Sequence, residues 1–316
     1  MTAPVLFPLS GRSVFVAGHG GMVGQALVRR LAREDCRVLT AARDRLDLTR
    51  QAETEQWFAE YKPDAVFMAA ARVGGIHANA TYPADFLYDN LAISQNVAES
   101  ARRAGVKKFL YLGSSCIYPR EAPQPMREDA LLSGPLEPTN QWYAIAKIAG
   151  LKLCAAYRRQ HGLDFISAQP TNLYGPGDNY DLQMSHVIPA LLAKMHMAKQ
   201  AGAAQVEVWG SGKPLREFMF VDDLADALVF LMRCYSDEKH VNAGTGQDVS
   251  IAELAALIKD VVGFQGALAY NPSQPDGAPR KLLDVSLLNS LGWSAKTGLR
   301  EGLEQTYAAF QRERGG

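Results

Sequence analysis

The sequence predicts an α/β fold with a parallel sheet, followed by a smaller α/β region. Short apolar runs alternate with helical segments, which is typical of right-handed βαβ units. The first run leads through a glycine-rich turn into a helix, the usual opening of a dinucleotide-binding fold. We therefore predict a Rossmann-type, doubly wound parallel sheet over residues 1–172. A smaller C-terminal substrate-binding α/β domain should span 173–316, with some chain returning to the first domain.

The first unit places three glycines between a strand and a helix. Residues 13–17 are apolar and rich in β-formers, and residues 25–34 have helical spacing. Between them Gly18, Gly21 and Gly24 follow a G-x-x-G-x-x-G spacing, not G-x-G-x-x-G. Glycine permits a tight turn and lets backbone amides approach a pyrophosphate at the helix N-terminus. The alternative is a surface turn with incidental glycines.

The end of the second strand indicates the cofactor. Residues 37–42 are strand-like, and Arg43 follows without an acid before Asp44. Enzymes that prefer NAD usually place Asp or Glu here, on the ribose 2′-OH. An arginine suits a 2′-phosphate instead, so we predict NADP(H). Alternatively, Arg43 is a solvated loop charge.

Three later runs continue the alternation, and then it breaks. The further predicted strands are residues 65–68, 108–112 and 165–167. After Asn172 the loops lengthen, as at residues 174–179 and 271–277, which places the substrate domain there.

A tyrosine and a lysine stand four residues apart in the helix after the fourth strand. Tyr143 and Lys147 share one face of that helix, and Ser114 ends the preceding strand. A nearby ammonium favours a phenolate, so we expect Lys147 to lower the pKa of Tyr143. With the serine hydroxyl, the pair can pass a proton to a carbonyl oxygen during hydride transfer. Taken alone, Tyr-x-x-x-Lys is more often a pair of ordinary helix residues.

Composition narrows the class of protein. The 316 residues carry 33 basic and 33 acidic side chains, so no global charge favours nucleic acid or an anionic membrane. No run approaches the length of a membrane helix, and no basic leader precedes the first apolar residues. The four cysteines are widely separated and match no metal or disulfide pattern: Cys36, Cys116, Cys154 and Cys234. We expect a cytoplasmic enzyme without a metal, nucleic-acid or membrane partner.

Several longer segments carry a family resemblance. They read AGHGGMVG, AAARVGGIHANATYPADF, LGSSCIYP, EPTNQWYAIAKIAG, PTNLYGPGDN, SHVIPALL, VWGSGKPLREF and PDGAPRKLLDV. Through them the chain resembles the extended short-chain dehydrogenase/reductases and, among these, the GDP-L-fucose synthase family, nearly end to end. The resemblance implies NADPH-dependent 3,5-epimerisation and 4-reduction of GDP-4-keto-6-deoxy-D-mannose to GDP-L-fucose.

The resemblance also implies an acid/base pair, Cys116 and His186. The 4-keto group acidifies the protons at C3 and C5, and inversion needs proton exchange on opposite faces. Unperturbed thiol and imidazole groups have pKa values of about 8.5 and 6.5, so both can exchange protons near neutral pH. Alternatively, Cys116 is a buried structural thiol, and His186 is a helix N-terminal residue bonded to backbone.

The remaining site residues follow from the same resemblance. The cofactor set is Gly18, Gly21, Met22, Val23, Gly24, Arg43, Asp47, Leu48, Ala70, Lys147, Pro170, Asn172, Leu173 and His186. The GDP-sugar set is Ser115, Asn172, Lys194, Trp209, Arg216, Asp276 and Lys281. The alternative is that Trp209 is a core residue, Asp276 a turn residue and Asn172 a loop residue bonded to its own loop.

Two departures from the family pattern affect these expectations. Gly20 stands where the family commonly has an arginine for the 2′-phosphate, which leaves Arg43 as the main determinant. Lys194 replaces a frequent arginine and loses the bidentate fork. The substrate could then be another GDP-keto sugar of the colitose or heptose type. The same fold could also serve a 4-epimerase with bound NAD or a non-catalytic nucleotide sensor.

The family habit also predicts a homodimer formed through two helices, residues 85–104 and 141–160. The first has apolar residues on more than one face: Phe86, Leu87, Leu91, Ile93 and Val97. The alternative is that these faces are buried within one chain.

Overall fold

The computed structural model describes residues 3–182, 185–274 and 276–314. Its strands are β1 (Ser13–Ala17), β2 (Arg37–Leu39), β3 (Ala65–Met68), β4 (Lys108–Leu112), β5 (Asp164–Pro170), β6 (Asn172–Tyr174), β7 (Gln205–Trp209), β8 (Leu215–Phe220), β9 (Val241–Ala243), β10 (Asp248–Ser250), β11 (Ala267–Asn271) and β12 (Arg280–Lys281). Its helices are α1 (Met22–Leu31), α2 (Gln51–Tyr61), α3 (Ile76–Thr81), α4 (Pro83–Arg103), α5 (Gln141–His161), α6 (Val187–Gln200), α7 (Val221–Cys234), α8 (Ile251–Val262), α9 (Ser286–Ser290) and α10 (Leu299–Arg314).

The first layer is a parallel six-stranded sheet covered by helices on both faces. Its strand order is β2-β1-β3-β4-β5-β9. Successive β1 side chains point to opposite faces: Val14 packs in a cluster with α1 and α7, and Phe15 in one with α2, α4 and α5. This double winding confirms the predicted Rossmann-type sheet, because both faces of its strands are buried.

The second layer is smaller and is built from the chain from residue 172 onward. Strands β10, β8 and β12 form one sheet, β6 also pairs with β8, and β7 pairs with β11. Helices α6, α8 and α10 enclose its core. Buried Glu217 on β8 accepts hydrogen bonds from the amides of Thr245, Gly246 and Leu283, at 2.6–2.9 Å. Strand β9 and helix α7 return to the first layer, so the C-terminal half of the chain contributes to both.

Two element boundaries differ from the sequence prediction. The second strand ends at Leu39 rather than at residue 42, because only Arg37–Leu39 pair with β1 at the edge of the sheet. Helix α1 begins at Met22, three residues earlier than expected, so the third glycine lies inside its first turn. Among the described residues no helix is long and apolar enough to cross a membrane.

Candidate active site

The glycine turn fits tightly against neighbouring backbone. Gly18 has φ +85°, and a Cβ there would lie 2.7 Å from the backbone of Ala70. A Cβ on Gly24 would lie 2.1 Å from the carbonyl oxygen of Gly18. Gly21 caps α1 without a side-chain hydrogen bond, so the first-turn N–H groups lack the partner that a capping side chain would give. The turn therefore needs glycine and offers amides to an anion.

A cavity of about 1050 Å³ extends from this turn to the second layer. Every predicted catalytic and cofactor-binding residue lines it, and so do Ser115, Asn172 and Lys281 from the predicted sugar-binding set. The carboxyl ends of β1, β4 and β5 meet at this edge of the sheet, where open α/β sheets bind ligands. The structure thus brings into one space residues that are up to 263 positions apart, Gly18 and Lys281.

Lys147 is held by the backbone of β4. Its buried ammonium donates to the carbonyl oxygen of Leu112 at 2.8 Å and lies 5.6 Å from the Tyr143 ring centroid. Burial lowers the pKa of Lys147 to about 8. Burial also raises the pKa of Tyr143 well above its ordinary value, and the charges of Cys116 and Tyr111 act in the same direction.

The expected lowering of the Tyr143 pKa was therefore wrong for the protein alone. Desolvation of the phenol outweighs the attraction of an ammonium that is already bonded to a carbonyl. The phenol stays protonated near neutral pH. This is the form that a proton donor requires.

Ser114 and Cys116 follow β4 on one short 3₁₀ turn. The Ser114 amide donates to the Gln169 side chain at 2.9 Å, and its hydroxyl accepts from the Cys116 amide at 3.3 Å. Cys116 is only 6% exposed. Burial raises the pKa of Cys116, while the ammonium groups of Lys281 and Lys147 and the Ser114 hydroxyl oppose the rise.

His186 stands at the N-terminus of α6, and its side chain makes no capping hydrogen bond to that helix. His186 is exposed where it lines the cavity, but the protein around its ring partly desolvates the imidazole. This desolvation lowers the pKa of His186, and the Lys281 ammonium acts in the same direction. In the protein alone the pair therefore favours a neutral thiol and a neutral imidazole.

Four predicted sugar-binding residues lie outside the cavity lining: Lys194, Trp209, Arg216 and Asp276. They form two local groups on the second layer. The Lys194 ammonium lies 4.6 Å from the Trp209 ring centroid, and Trp209 is 42% exposed, so it is not a core residue. The Arg216 guanidinium donates to the Asp276 carbonyl oxygen at 3.1 Å, while the Asp276 carboxylate accepts from the Ser211 amide at 2.7 Å.

Asn172 has both a cavity position and a backbone partner. It lines the cavity, and its amide nitrogen also donates to the Glu217 carbonyl oxygen at 2.8 Å. Among the described residues, no group of three or more His, Cys, Asp and Glu side chains is arranged to hold a metal ion.

Asn140 is a cavity residue that sequence reasoning missed. It precedes Tyr143 by three positions and Lys147 by seven, so all three share one face of α5. Its buried side-chain oxygen has no hydrogen-bond partner in the described part of the chain. The helical spacing was the signal that could have found it.

The doubly wound sheet, the glycine turn and the Ser–Tyr–Lys set together define a nicotinamide-dependent enzyme of the extended short-chain dehydrogenase/reductase type. The chain belongs to the NAD dependent epimerase/dehydratase family, which it matches over residues 14–244.

Relatives within this family are similar over almost the whole chain. A GDP-L-fucose synthase of Sinorhizobium fredii is 56% identical, covering 96% of this chain and 97% of its own. GDP-L-fucose synthase 1 of Arabidopsis thaliana is 60% identical, covering 93% and 91%. The crystal structure of a GDP-L-fucose synthetase from Naegleria fowleri, bound to NADP, has a TM-score of 0.90 at 28% identity and covers 99% and 98%.

Proposed function

We propose that this chain is an NADPH-dependent enzyme that converts GDP-4-keto-6-deoxy-D-mannose into GDP-L-fucose. It inverts C3 and C5 and reduces C4 in a single cavity. The observation that carries the proposal is the meeting of Tyr143 and Lys147 with Cys116 and His186 in that cavity. The relatives that are 56% and 60% identical are GDP-L-fucose synthases.

The residues present fit NADP(H). The first-turn amides of Met22 and Val23 suit the pyrophosphate, because helix N-termini favour anions. Arg43 is exposed at the cavity edge and suits the 2′-phosphate. When bound, NADPH supplies the hydride that C4 receives. The protein's own part is to orient the sugar and move protons.

Proton transfer at carbon belongs to Cys116 and His186. The 4-keto group makes C3 and C5 acidic, and one of the pair removes a proton to give an enolate. The other returns a proton to the opposite face, and the carbon is inverted. Tyr143 then gives its phenolic proton to the oxygen at C4 as the alkoxide forms, because burial keeps that phenol protonated.

The two chemistries can be separated by substitution. In Cys116→Ser, exchange of the C3 and C5 protons with D₂O should fall sharply, while some direct reduction of the unepimerised ketone persists. In Tyr143→Phe, exchange should continue while NADPH oxidation falls by about a hundredfold or more. Solvent deuterium incorporation is measured beside NADPH oxidation in each variant. Normal epimerisation by Cys116→Ser would contradict the assignment.

Product identification tests the substrate. Incubation with GDP-4-keto-6-deoxy-D-mannose and NADPH, followed by NMR, should show the L-fuco configuration. A colitose- or heptose-type substrate is the alternative, and turnover of such a GDP-keto sugar in preference to the 6-deoxy sugar would replace the proposal. A 4-epimerase with bound NAD would interconvert sugars without net NADPH consumption.

The proposal includes a homodimer formed through α4 and α5. Phe86 and Val97 are buried within the chain, so they cannot form the interface. Tyr88, Trp142 and Ile145 are instead 70%, 41% and 39% exposed on these helices.

Substitution of that exposed face tests the dimer. Ile145→Asp should shift the light-scattering mass from twice 34.5 kDa towards 34.5 kDa, because a charge would be buried between copies. Val5→Asp, at a site 50% exposed elsewhere, is the matched control. A wild-type mass of 34.5 kDa at micromolar concentration would exclude the dimer.

All four cysteines are free, which suits a reducing compartment such as the cytoplasm.

A further inference from the structure

Lys281 occupies a different position from the other basic residues predicted to hold the GDP-sugar. Lys194 and Arg216 lie outside the lining of the catalytic cavity, whereas Lys281 lines it together with Cys116 and His186. Lys281 is the last residue of β12, which runs parallel to β8. Lys281 and Arg216 are register partners, so the two cations lie opposite each other on adjacent strands.

The charged neighbours of Lys281 are engaged elsewhere. The Arg216 guanidinium donates to the carbonyl oxygens of Leu215 and Asp276. Glu137 accepts from the Thr139 hydroxyl at 3.1 Å and lies 3.5 Å from the Arg120 guanidinium.

Lys147 is likewise committed, because its ammonium donates to the Leu112 carbonyl oxygen. The Lys281 ammonium, in contrast, forms no hydrogen bond or ion pair within the described part of the chain. Lys281 is half-buried, and burial lowers its pKa, while the charge on Cys116 acts to raise it. An unpaired, half-buried ammonium therefore shares a cavity with a thiol on which it acts electrostatically.

We propose that Lys281 is a positioning residue for epimerisation, whose ammonium stabilises the Cys116 thiolate and so offsets part of the effect of burial on that thiol. The inference rests on the proposed function, because it gives Lys281 a role in the proton transfer at C3 and C5. The step is a simple ionisation: Cys116 releases its thiol proton to solvent, and the thiolate can then take a proton from substrate carbon. A cation within several ångströms favours an ionised thiol.

Other ionisable groups face the thiol from the elements around it. They are Tyr111 on β4, Tyr143 and Lys147 on α5, His186 before α6, and Glu137 and Arg216 close to Lys281. Tyr143 and Tyr111 are neutral near pH 7, since burial raises the pKa of both. The cations acting directly on Cys116 are therefore Lys281 and Lys147. If Lys281 is removed, the remaining cation is Lys147, whose ammonium is already bonded to the Leu112 carbonyl oxygen.

The experiment measures Cys116 ionisation without substrate or cofactor. The rate of iodoacetamide labelling of Cys116 is followed against pH by peptide mass, with Cys116→Ser as the blank. In Lys281→Met the labelling rate near pH 7 should fall about tenfold. Lys281→Arg, which keeps the charge, should stay within about threefold of wild type. Lys296→Met removes an exposed lysine outside the cavity and should leave the rate unchanged.

Lys281→Gln is labelled in parallel, so that a folding failure of the methionine variant leaves the test intact. Deuterium exchange at C3 and C5 should fall with the labelling rate in both neutral variants. Unchanged labelling in Lys281→Met and Lys281→Gln, with only a raised KM for the GDP-sugar, would overturn the proposal and make Lys281 a substrate ligand alone. Because labelling uses no substrate, this failure is distinguishable from a failure of the proposed reaction.

Discussion

Replacing Arg43 by alanine should remove most of the preference for NADPH over NADH. Arg43 is exposed and lines the cavity, as does Gly20, the position at which the family pattern would supply a second cation. In the described part of the chain its guanidinium forms no hydrogen bond or ion pair, and it acts on Asp47 through charge alone. It is therefore free to meet a 2′-phosphate.

The size of the effect follows from that exposure. A charge-assisted hydrogen bond contributes about 1.5–3 kcal/mol when it is shielded from water. Solvent screening at an exposed site keeps the contribution at the low end of that range, about 1.5 kcal/mol. Each 1.4 kcal/mol is about tenfold in an equilibrium constant, so Arg43→Ala should lower kcat/KM for NADPH by roughly tenfold. For NADH, which has no 2′-phosphate, kcat/KM should change little.

The assay is initial-rate reduction of the 4-keto sugar with each cofactor. Arg45→Ala is the matched control, since Arg45 is an exposed arginine on the same loop but outside the cavity lining. The effect should also weaken as salt is added, because an exposed charge is screened. An equal loss with NADPH and NADH in Arg43→Ala would refute the reasoning. So would wild-type kcat/KM values that are as high with NADH as with NADPH.

Two further predictions concern the framework. Gly24→Ala should destabilise the fold by about 3 kcal/mol and abolish NADPH binding, because its Cβ would lie 2.1 Å from the Gly18 carbonyl oxygen. Thermal melting and NADPH fluorescence test this prediction. Gly20→Ala is the control: a Cβ at Gly20 would have no atom within 4 Å, so this variant should melt like wild type. The second prediction concerns Asp64. Burial alone would raise the pKa of this carboxyl, but hydrogen bonds from Lys107 and Ser13 outweigh burial and lower the pKa to about 2. Asp64→Asn should therefore cost about 2 kcal/mol of stability at neutral pH. A carboxyl whose pKa is lowered by folding stabilises the folded protein at pH values above its unfolded pKa. The difference in urea midpoint between wild type and Asp64→Asn should therefore stay constant from about pH 7 to 5 and narrow below about pH 4. A difference that varied above about pH 5 would contradict this prediction.

Local patterns predicted those parts of the fold that depend on local chemistry. The buried strands β1 and β3 and the glycine turn lie where their apolar runs and spacing indicated. The short strand β9 was not predicted, because three residues carry little periodic signal and their partner β5 lies some 70 positions earlier. An early end to β2 likewise depends on its edge position in the sheet, which the strand itself does not encode.

In the candidate site too, local sequence patterns predicted some features, and others depend on residues from distant parts of the chain. Motif spacing predicted that Tyr143 and Lys147 share a helix face, and the structure agrees. Their pKa values depend on burial and on the charge of Cys116, which belongs to another element, so the predicted direction for Tyr143 was wrong. The family resemblance grouped Lys281 with Arg216, but only three-dimensional packing shows that one lines the catalytic cavity and the other does not.

The two residues of the proposed acid/base pair lie in different halves of the chain. Cys116 follows a strand of the cofactor-binding sheet, together with Ser114, Tyr143 and Lys147, whereas His186 belongs to the second layer. Substitutions confined to the second layer could therefore remove inversion and leave hydride chemistry intact. A lineage could turn such an enzyme into a simple ketone reductase, or back again, without changing the glycine turn or Ser114, Tyr143 and Lys147. Stereochemistry would then evolve separately from redox chemistry.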